Sequence, residues 1–244
     1  MGKKIFAIVP SAGLGKRFGD STGKTFISLH GIPLFIHALK WLNSENAVTE
    51  IIPVLKKQDF EKGSQIIKEH DLHKIKHMAP GGQERQDSIN NALNLLQDVC
   101  NNALENSYVL IHDGVRPIIP DGTIERLIEN IYNVDGVIPC VPSKDTLKEV
   151  GSDGMVVTTV NREHIMAVQT PQLFPFSVIK KAYDLAYKEG FYATDDAALV
   201  EKIGGKVKTI AGSPMNIKVT TPDDLKMVNY LLSKNYTETK KSQL

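Results

Sequence analysis

The chain has 244 residues, enough for one α/β domain with a full hydrophobic core. Its 29 lysines and arginines against 28 aspartates and glutamates leave a formal net charge of +1, which excludes a general basic field for nucleic acid or an anionic membrane. Two cysteines, Cys100 and Cys140, with no Cys-x-x-Cys pair argue against thiolate zinc or redox chemistry. No run approaches the ~20 apolar residues of a membrane span, so a cytoplasmic protein is expected.

The apolar run Ile5–Val9 predicts a first strand. It leads into Pro10-Ser11-Ala12-Gly13-Leu14-Gly15-Lys16-Arg17, with Lys24 further on. Gly13 and Gly15 can turn backbone N–H groups toward phosphate oxygens, and Arg17 and Lys24 can neutralise charge that grows in phosphoryl chemistry. The spacing fits neither a dinucleotide fingerprint, where Phe18 stands at the third glycine, nor a P-loop. A tight connection alone would also explain these glycines.

Next come a helix over Pro33–Trp41, a strand over Ile51–Leu55, a helix over Phe60–Glu69 and a strand over Lys74–Met78. Gly81-Gly82-Gln83-Glu84-Arg85-Gln86-Asp87-Ser88 then opens a helix over Gln86–Leu96, on which Ile89, Leu93 and Leu96 share a face. The paired glycines permit backbone approach to a flat base whose edge Ser88 could read; a polar helix start is the plainer explanation. Tyr108–Ile111 predicts a strand ending in His112-Asp113-Gly114-Val115-Arg116-Pro117. Asp113 at a sheet edge can bind a ribose hydroxyl or hold Mg²⁺, or can pair with Arg116 in a turn. His112 reads as a packed side chain.

A helix over Ile124–Ile131 and a strand over Gly136–Val141 complete the crossover pattern of a mainly parallel sheet. Lys144–Val150, a turn at Gly151-Ser152-Asp153-Gly154, and Met155–Val160 then predict a β-hairpin arm. A two-stranded ribbon is marginal in water, so the arm packs either on another copy of the chain or back on its own domain. Arg162 precedes Gln169-Thr170-Pro171-Gln172-Leu173-Phe174, and Lys218 lies in Asn216-Ile217-Lys218-Val219-Thr220-Thr221. A last helix starts at Thr221-Pro222-Asp223-Asp224, and residues 235–244 read as a polar tail after a single domain over residues 1–234.

Taken together in order, these motifs, with Lys144-Asp145-Thr146-Leu147-Lys148 and Thr194-Asp195-Asp196, closely resemble the 2-C-methyl-D-erythritol 4-phosphate cytidylyltransferases from residue 5 to about residue 232. The resemblance implies an α/β, Rossmann-like nucleotidyltransferase fold and a homodimer whose protruding β-arm, at about residues 142–161, completes the neighbour's site. It implies transfer of CMP from CTP to a sugar-alcohol phosphate in non-mevalonate isoprenoid biosynthesis, with Mg²⁺ and release of pyrophosphate. By position, Arg17 and Lys24 match the catalytic cations on the CTP phosphates, and Arg162 and Lys218 match the pair that orients the acceptor phosphate. Pro10, Ser11, Ala12, Gly13, Gly15, Gly82, Gln83 and Ser88 match nucleotide-contacting positions. Asp113 and Gly114 match the ribose side, and Thr146 and Thr170 the acceptor region.

The chain departs from the family pattern at Gly23-Lys24-Thr25 in place of Pro-Lys-Gln, at Ser11 in place of alanine, at Gln83 in place of aspartate and at Gly114-Val115 in place of Ala-Ala. None removes a cation. A ribitol-5-phosphate cytidylyltransferase and a non-catalytic nucleotide-binding module stand as alternatives; no interaction with nucleic acid or membrane is expected.

Overall fold

The computed structural model describes residues 3–13, 24–100 and 104–241, with backbone alone for residues 24 and 234–241. Strand β1 (Ile5–Pro10) is a continuous apolar run because both its faces are covered, as a central parallel strand requires. Side chains alternate across the sheet, so Phe6 and Ile8 join one core cluster while Ile5, Ala7 and Val9 join another.

After a short 3-10 turn (Lys24–Phe26) come a two-residue hairpin of β2 (Ser28–Leu29) and β3 (Ile32–Pro33), then α1 (Leu34–Ser44) and β4 (Val48–Leu55). A 3-10 turn (Lys57–Asp59), α2 (Phe60–Glu69) and β5 (Ala79–Pro80) lead to α3 (Arg85–Cys100), β6 (Tyr108–Ile111), α4 (Thr123–Asn130) and β7 (Gly136–Pro142). The hairpin of β8 (Lys148–Val150) and β9 (Val156–Thr159) follows, then β10 (Met166–Val168), β11 (Gln172–Pro175), α5 (Phe176–Glu189), α6 (Asp196–Lys202), β12 (Val207–Ala211) and α7 (Pro222–Lys241).

The main sheet runs β10-β7-β11-β6-β1-β4-β5, with β12 also paired to β7. β4 and β6 flank β1 in parallel, and β5 continues the parallel ladder beyond β4. β12 pairs in parallel with β7, whereas β10 and β11 run antiparallel to their neighbours. On one face, α3 buries Ile89, Leu93 and Leu96, and α5 buries Ile179 and Tyr183. On the other, α1 buries Phe35, Leu39 and Leu42, and α4 buries Leu127. Truncating one such leucine to alanine costs about 2–5 kcal/mol.

Two sequence expectations are corrected. Lys74–Met78 forms no strand: Lys74 O accepts from Ile51 N–H of β4 at 2.9 Å, but Lys74 N–H turns away to donate to Asn43 Oδ1 at 3.1 Å, so the pairing is not continued. The ladder beside β4 starts only at Ala79. Residues 235–241, expected in a polar tail, continue α7, since no proline or glycine after Pro222 interrupts it. Its start is a capping box, with Asp224 Oδ2 accepting from Thr220 N–H and Thr221 N–H, each at 2.7 Å, and Asp224 N–H donating to Thr221 Oγ1 at 3.2 Å.

Candidate active site

Parallel β1, β5 and β6 all end at one edge of the sheet, where α/β folds bind ligands. Three distant segments therefore meet there. Ser11 N–H donates to Val54 O at 2.9 Å, Gly81 N–H to Leu55 O at 2.7 Å and Gly114 N–H to Pro10 O at 3.3 Å. The contact is too close for side chains: a Cβ at Gly81 would lie 2.3 Å from Ala12 Cβ, and one at Gly114 would lie 2.0 Å from Ser11 Oγ. The Thr25 hydroxyl donates to Ser11 O, tying the 3-10 turn at Lys24–Phe26 to the same edge.

The turn into α3 is braced from within. Gly82 N–H donates to Ser88 Oγ at 3.0 Å, Ser88 Oγ donates to Glu84 O at 3.1 Å and Glu84 N–H donates to Asp87 Oδ2 at 2.8 Å. Asp87 Oδ1 accepts from Tyr187 at 2.6 Å and Tyr192 at 2.9 Å. Burial alone would raise the Asp87 carboxyl; the Tyr187 hydroxyl and the Glu84 N–H hold it below its ordinary value.

Asp113, just past β6, is the electrostatic hub. Its Oδ1 accepts from Arg85 Nε at 3.2 Å; its Oδ2 accepts from Lys218 Nζ at 2.9 Å and, more loosely, from Arg116 Nε at 3.4 Å. Burial alone would raise this carboxyl, yet Arg85, Lys218 and Arg116 hold it well below the usual carboxylate range. Arg85 also donates through Nη2 to Asp196 Oδ2 at 2.7 Å, and Tyr183 Oη donates to Asp196 Oδ1 at 2.6 Å. Arg116 Nη1 donates to Asn216 O at 2.8 Å, which fixes the strand-like segment carrying Lys218.

Behind the hub, His112 is fully buried. Its Nε2 lies 3.1 Å from Arg116 O, which can only accept, so Nε2 carries the proton and Nδ1 accepts from the Thr170 hydroxyl at 3.0 Å. Thr170 Oγ1 in turn accepts from Asp113 N–H at 3.1 Å. Burial pushes the imidazole down to about 4, so it is a neutral strut at pH 7. A cleft of about 280 Å³ opens on this assembly, lined by Arg85, Asp113, Arg116, Thr170, Gln172 and Lys218, and also by Thr194 and Asp195 ahead of α6.

The model of the family described as IspD, 2-C-methyl-D-erythritol 4-phosphate cytidylyltransferase, matches residues 5–234. The chain belongs to this family. A relative of that name from Syntrophus aciditrophicus is 38% identical over 96% of this chain and 98% of its own length. Another from Alkaliphilus metalliredigens is 41% identical, covering 91% and 90% respectively. The crystal structure of 4-diphosphocytidyl-2C-methyl-D-erythritol synthase from Anaerococcus prevotii superposes with a TM-score of 0.80 at 30% identity, covering 95% of this chain and 99% of that one. The fold is thus that of the IspD nucleotidyltransferases, and the chain is an enzyme of that class.

Against the family pattern, the structure gathers Pro10, Ser11, Ala12, Gly82, Ser88, Asp113 and Gly114 at one sheet edge. A Cβ added at Gly13 would meet nothing within 4 Å among the described residues, and Gln83 is exposed on the α3 turn. Thr170 and Lys218 line the cleft. Gly15 and Arg17 lie outside the described residues, as does the side chain of Lys24. Thr146 and Arg162 are exposed and absent from the cleft walls; Arg162 Nη1 donates to Ser143 O and Lys144 O at the base of the arm.

No local motif marks Arg85, and Arg116 reads from the sequence only as a turn partner of Asp113. Arg85 reaches Asp196 across the whole crossover of the fold, which no local pattern announces. Asp195 had a legible signal: its Oδ1 caps α6 by accepting from Ala198 N–H at 3.1 Å, as an aspartate ahead of an apolar helical run would.

Proposed function

We propose that the cleft around Asp113 is where an acceptor phosphate meets the nucleotide. In this reading the chain transfers CMP from CTP to 2-C-methyl-D-erythritol 4-phosphate, releasing pyrophosphate and giving 4-diphosphocytidyl-2-C-methyl-D-erythritol in non-mevalonate isoprenoid biosynthesis. The observation that carries it is the gathering of Arg85, Arg116 and Lys218 on one buried carboxylate, beside the Ser11–Gly81–Gly114 junction.

The chemistry needs cations more than a base. A phosphate monoester has its second pKa near ~6, so the acceptor is already largely a dianion at neutral pH. One of its oxygens attacks the α-phosphorus of CTP; the new P–O bond forms as the α–β bridging bond breaks, and its electrons leave on pyrophosphate. The barrier is anion against anion, lowered by positioning and by fixed positive charge. Lys218 and Arg162 hold the acceptor phosphate, while Arg17 and Lys24 serve the charge that grows on the α-phosphate and pyrophosphate. The backbone at Pro10, Ser11, Ala12, Gly13 and Gly15 cradles the phosphates, and the turn of Gly82, Gln83 and Ser88 faces the base. Asp113 and Gly114 meet the ribose side, and Thr146 and Thr170 flank the acceptor.

The described residues do not fit Mg²⁺ held by Asp113, because both oxygens of that carboxylate already accept from cations and a divalent ion would face three positive charges. A divalent cation brought in with CTP would supply charge neutralisation at the phosphates, and Asp113 would not be its ligand.

The β8–β9 hairpin pairs with no other strand among the described residues, and Val150, Met155, Val156 and Val157 on it are exposed. A second copy of the chain covers it in our reading, bringing Arg162 and Thr146 of one protomer to the cleft of the other. Among the described residues no helix is long and apolar enough to cross a membrane. The free thiols of Cys100 and Cys140 suit the cytosol, and the near-neutral charge gives nucleic acid no purchase.

The test is pyrophosphate release from CTP with each of two acceptors. The reading expects turnover with 2-C-methyl-D-erythritol 4-phosphate. Faster turnover with ribitol 5-phosphate overturns the acceptor, and tight CTP binding without release by either overturns catalysis.

A further inference from the structure

The guanidinium of Arg85 touches two carboxylates that belong to different parts of the fold. Its Nε lies 3.2 Å from Asp113 Oδ1 past the end of β6, and its Nη2 lies 2.7 Å from Asp196 Oδ2 in the first turn of α6. Asp196 is 1% exposed and is held on its other oxygen by Tyr183, which supplies a hydrogen bond but no charge. Neutralising Asp196 would need Nη2 alone. The Nε contact does something else: it holds one oxygen of Asp113, so that the other faces Lys218 and Arg116.

We propose that Arg85 is a positioning residue for the acceptor half of the reaction, clamping Asp113 against the buried Asp196–Tyr183 anchor so that Lys218 is presented at a fixed place in the cleft. The planar fork of an arginine is what makes this possible, since one rigid group meets both carboxylates at once. Lysine at this position would keep the charge but could hold only one of them firmly. Arg85 also stands directly after Gly82-Gln83-Glu84, so its backbone belongs to the nucleotide turn while its side chain serves the acceptor side. The proposal rests on the cytidylyl-transfer reading.

The experiment compares wild type with Arg85→Lys, Arg85→Gln and the double variant Arg85→Gln/Asp196→Asn, measuring Tm together with kcat and KM for each substrate. Arg85→Gln leaves Asp196 charged and unpaired, so it loses stability; the double variant removes that charge and recovers Tm. A positioning role predicts that kcat/KM for the acceptor stays about 10- to 100-fold down in the double variant and in Arg85→Lys, with the KM for CTP little changed. Activity that returns along with Tm in the double variant overturns the proposal, as does a fully active Arg85→Lys. A wild-type chain that releases no pyrophosphate would instead strike the transfer reading itself, which keeps the two failures apart.

Discussion

Lys218 Nζ rests 2.9 Å from Asp113 Oδ2, a lysine side chain that is 42% exposed held by an aspartate side chain that is 7% exposed. The cation therefore stands at the mouth of the cleft while its anchor lies in the wall, which suits a group that hands itself to an incoming phosphate. Asp113→Asn would keep the shape and remove the charge on which Arg85, Arg116 and Lys218 converge. Breaking such a buried arrangement is expected to cost about 3 kcal/mol, and acceptor kcat/KM should fall as Lys218 loses its place. Denaturant unfolding and steady-state kinetics on the same preparation check both halves.

The His112 strut makes stability depend on pH in a definite direction. Burial lowers its folded-state value to about 4, below the ordinary 6.5, so between those values the unfolded chain binds more protons than the native one. Its contribution is complete above pH 6.5 and is lost as pH falls toward 4, amounting to about 3 kcal/mol. An imidazole NMR titration of the native protein should have its midpoint near 4; a midpoint near 6.5 would mean that the ring is not buried as described. Thr170→Val, which removes the hydroxyl serving both His112 Nδ1 and Asp113 N–H, should cost about 1–3 kcal/mol.

Ser11 and Gly114 are packed against each other at the sheet edge. Ser11 Oγ occupies the space where a Cβ at Gly114 would come, 2.0 Å away. Gly114→Ala alone should therefore destabilise by about 1–3 kcal/mol and raise the KM for CTP by prying the two segments apart. Ser11→Ala/Gly114→Ala should recover most of the loss, because the hydroxyl that collides is gone. Thermal unfolding of the three variants decides it, and additive effects would contradict the packing argument.

The arm offers a test at the level of assembly. Val156 and Val157 are 58% and 64% exposed on a ribbon that pairs with no further strand among the described residues. Val156→Glu with Val157→Lys should leave Tm of the domain almost unchanged. If a second copy covers this surface, sedimentation should show the pair of substitutions shifting dimer toward monomer, and activity should fall with it.

What the residues announced, and what they hid, follows from how local each signal is. Ile5–Val9, Ile51–Leu55, Tyr108–Ile111 and Gly136–Val141 stand out because buried parallel strands are apolar on both faces. β12 and β10 escape notice because they lie at the margin of the sheet, with exposed residues such as Lys208 and Met166 and pairing set only by distant β7. β11 begins with a glutamine and ends in a proline, so nothing in its four residues marks a strand. α5 is absent from the sequence reading, although Phe176, Ile179, Tyr183 and Ala186 recur at helical spacing. In the site, the motifs holding Ser11, Gly81, Asp113, Thr170 and Lys218 could be read singly, but their mutual distances could not. The Arg85–Asp196 pair was invisible for the same reason.

The most direct measurement is acceptor-dependent pyrophosphate release by Lys218→Ala beside wild type, with CTP affinity determined separately by calorimetry. The account predicts that kcat/KM for 2-C-methyl-D-erythritol 4-phosphate falls by about 100-fold or more while CTP binding changes by much less. Turnover of Lys218→Ala equal to wild type would contradict the claim that the cations gathered on Asp113 form the acceptor side of the site.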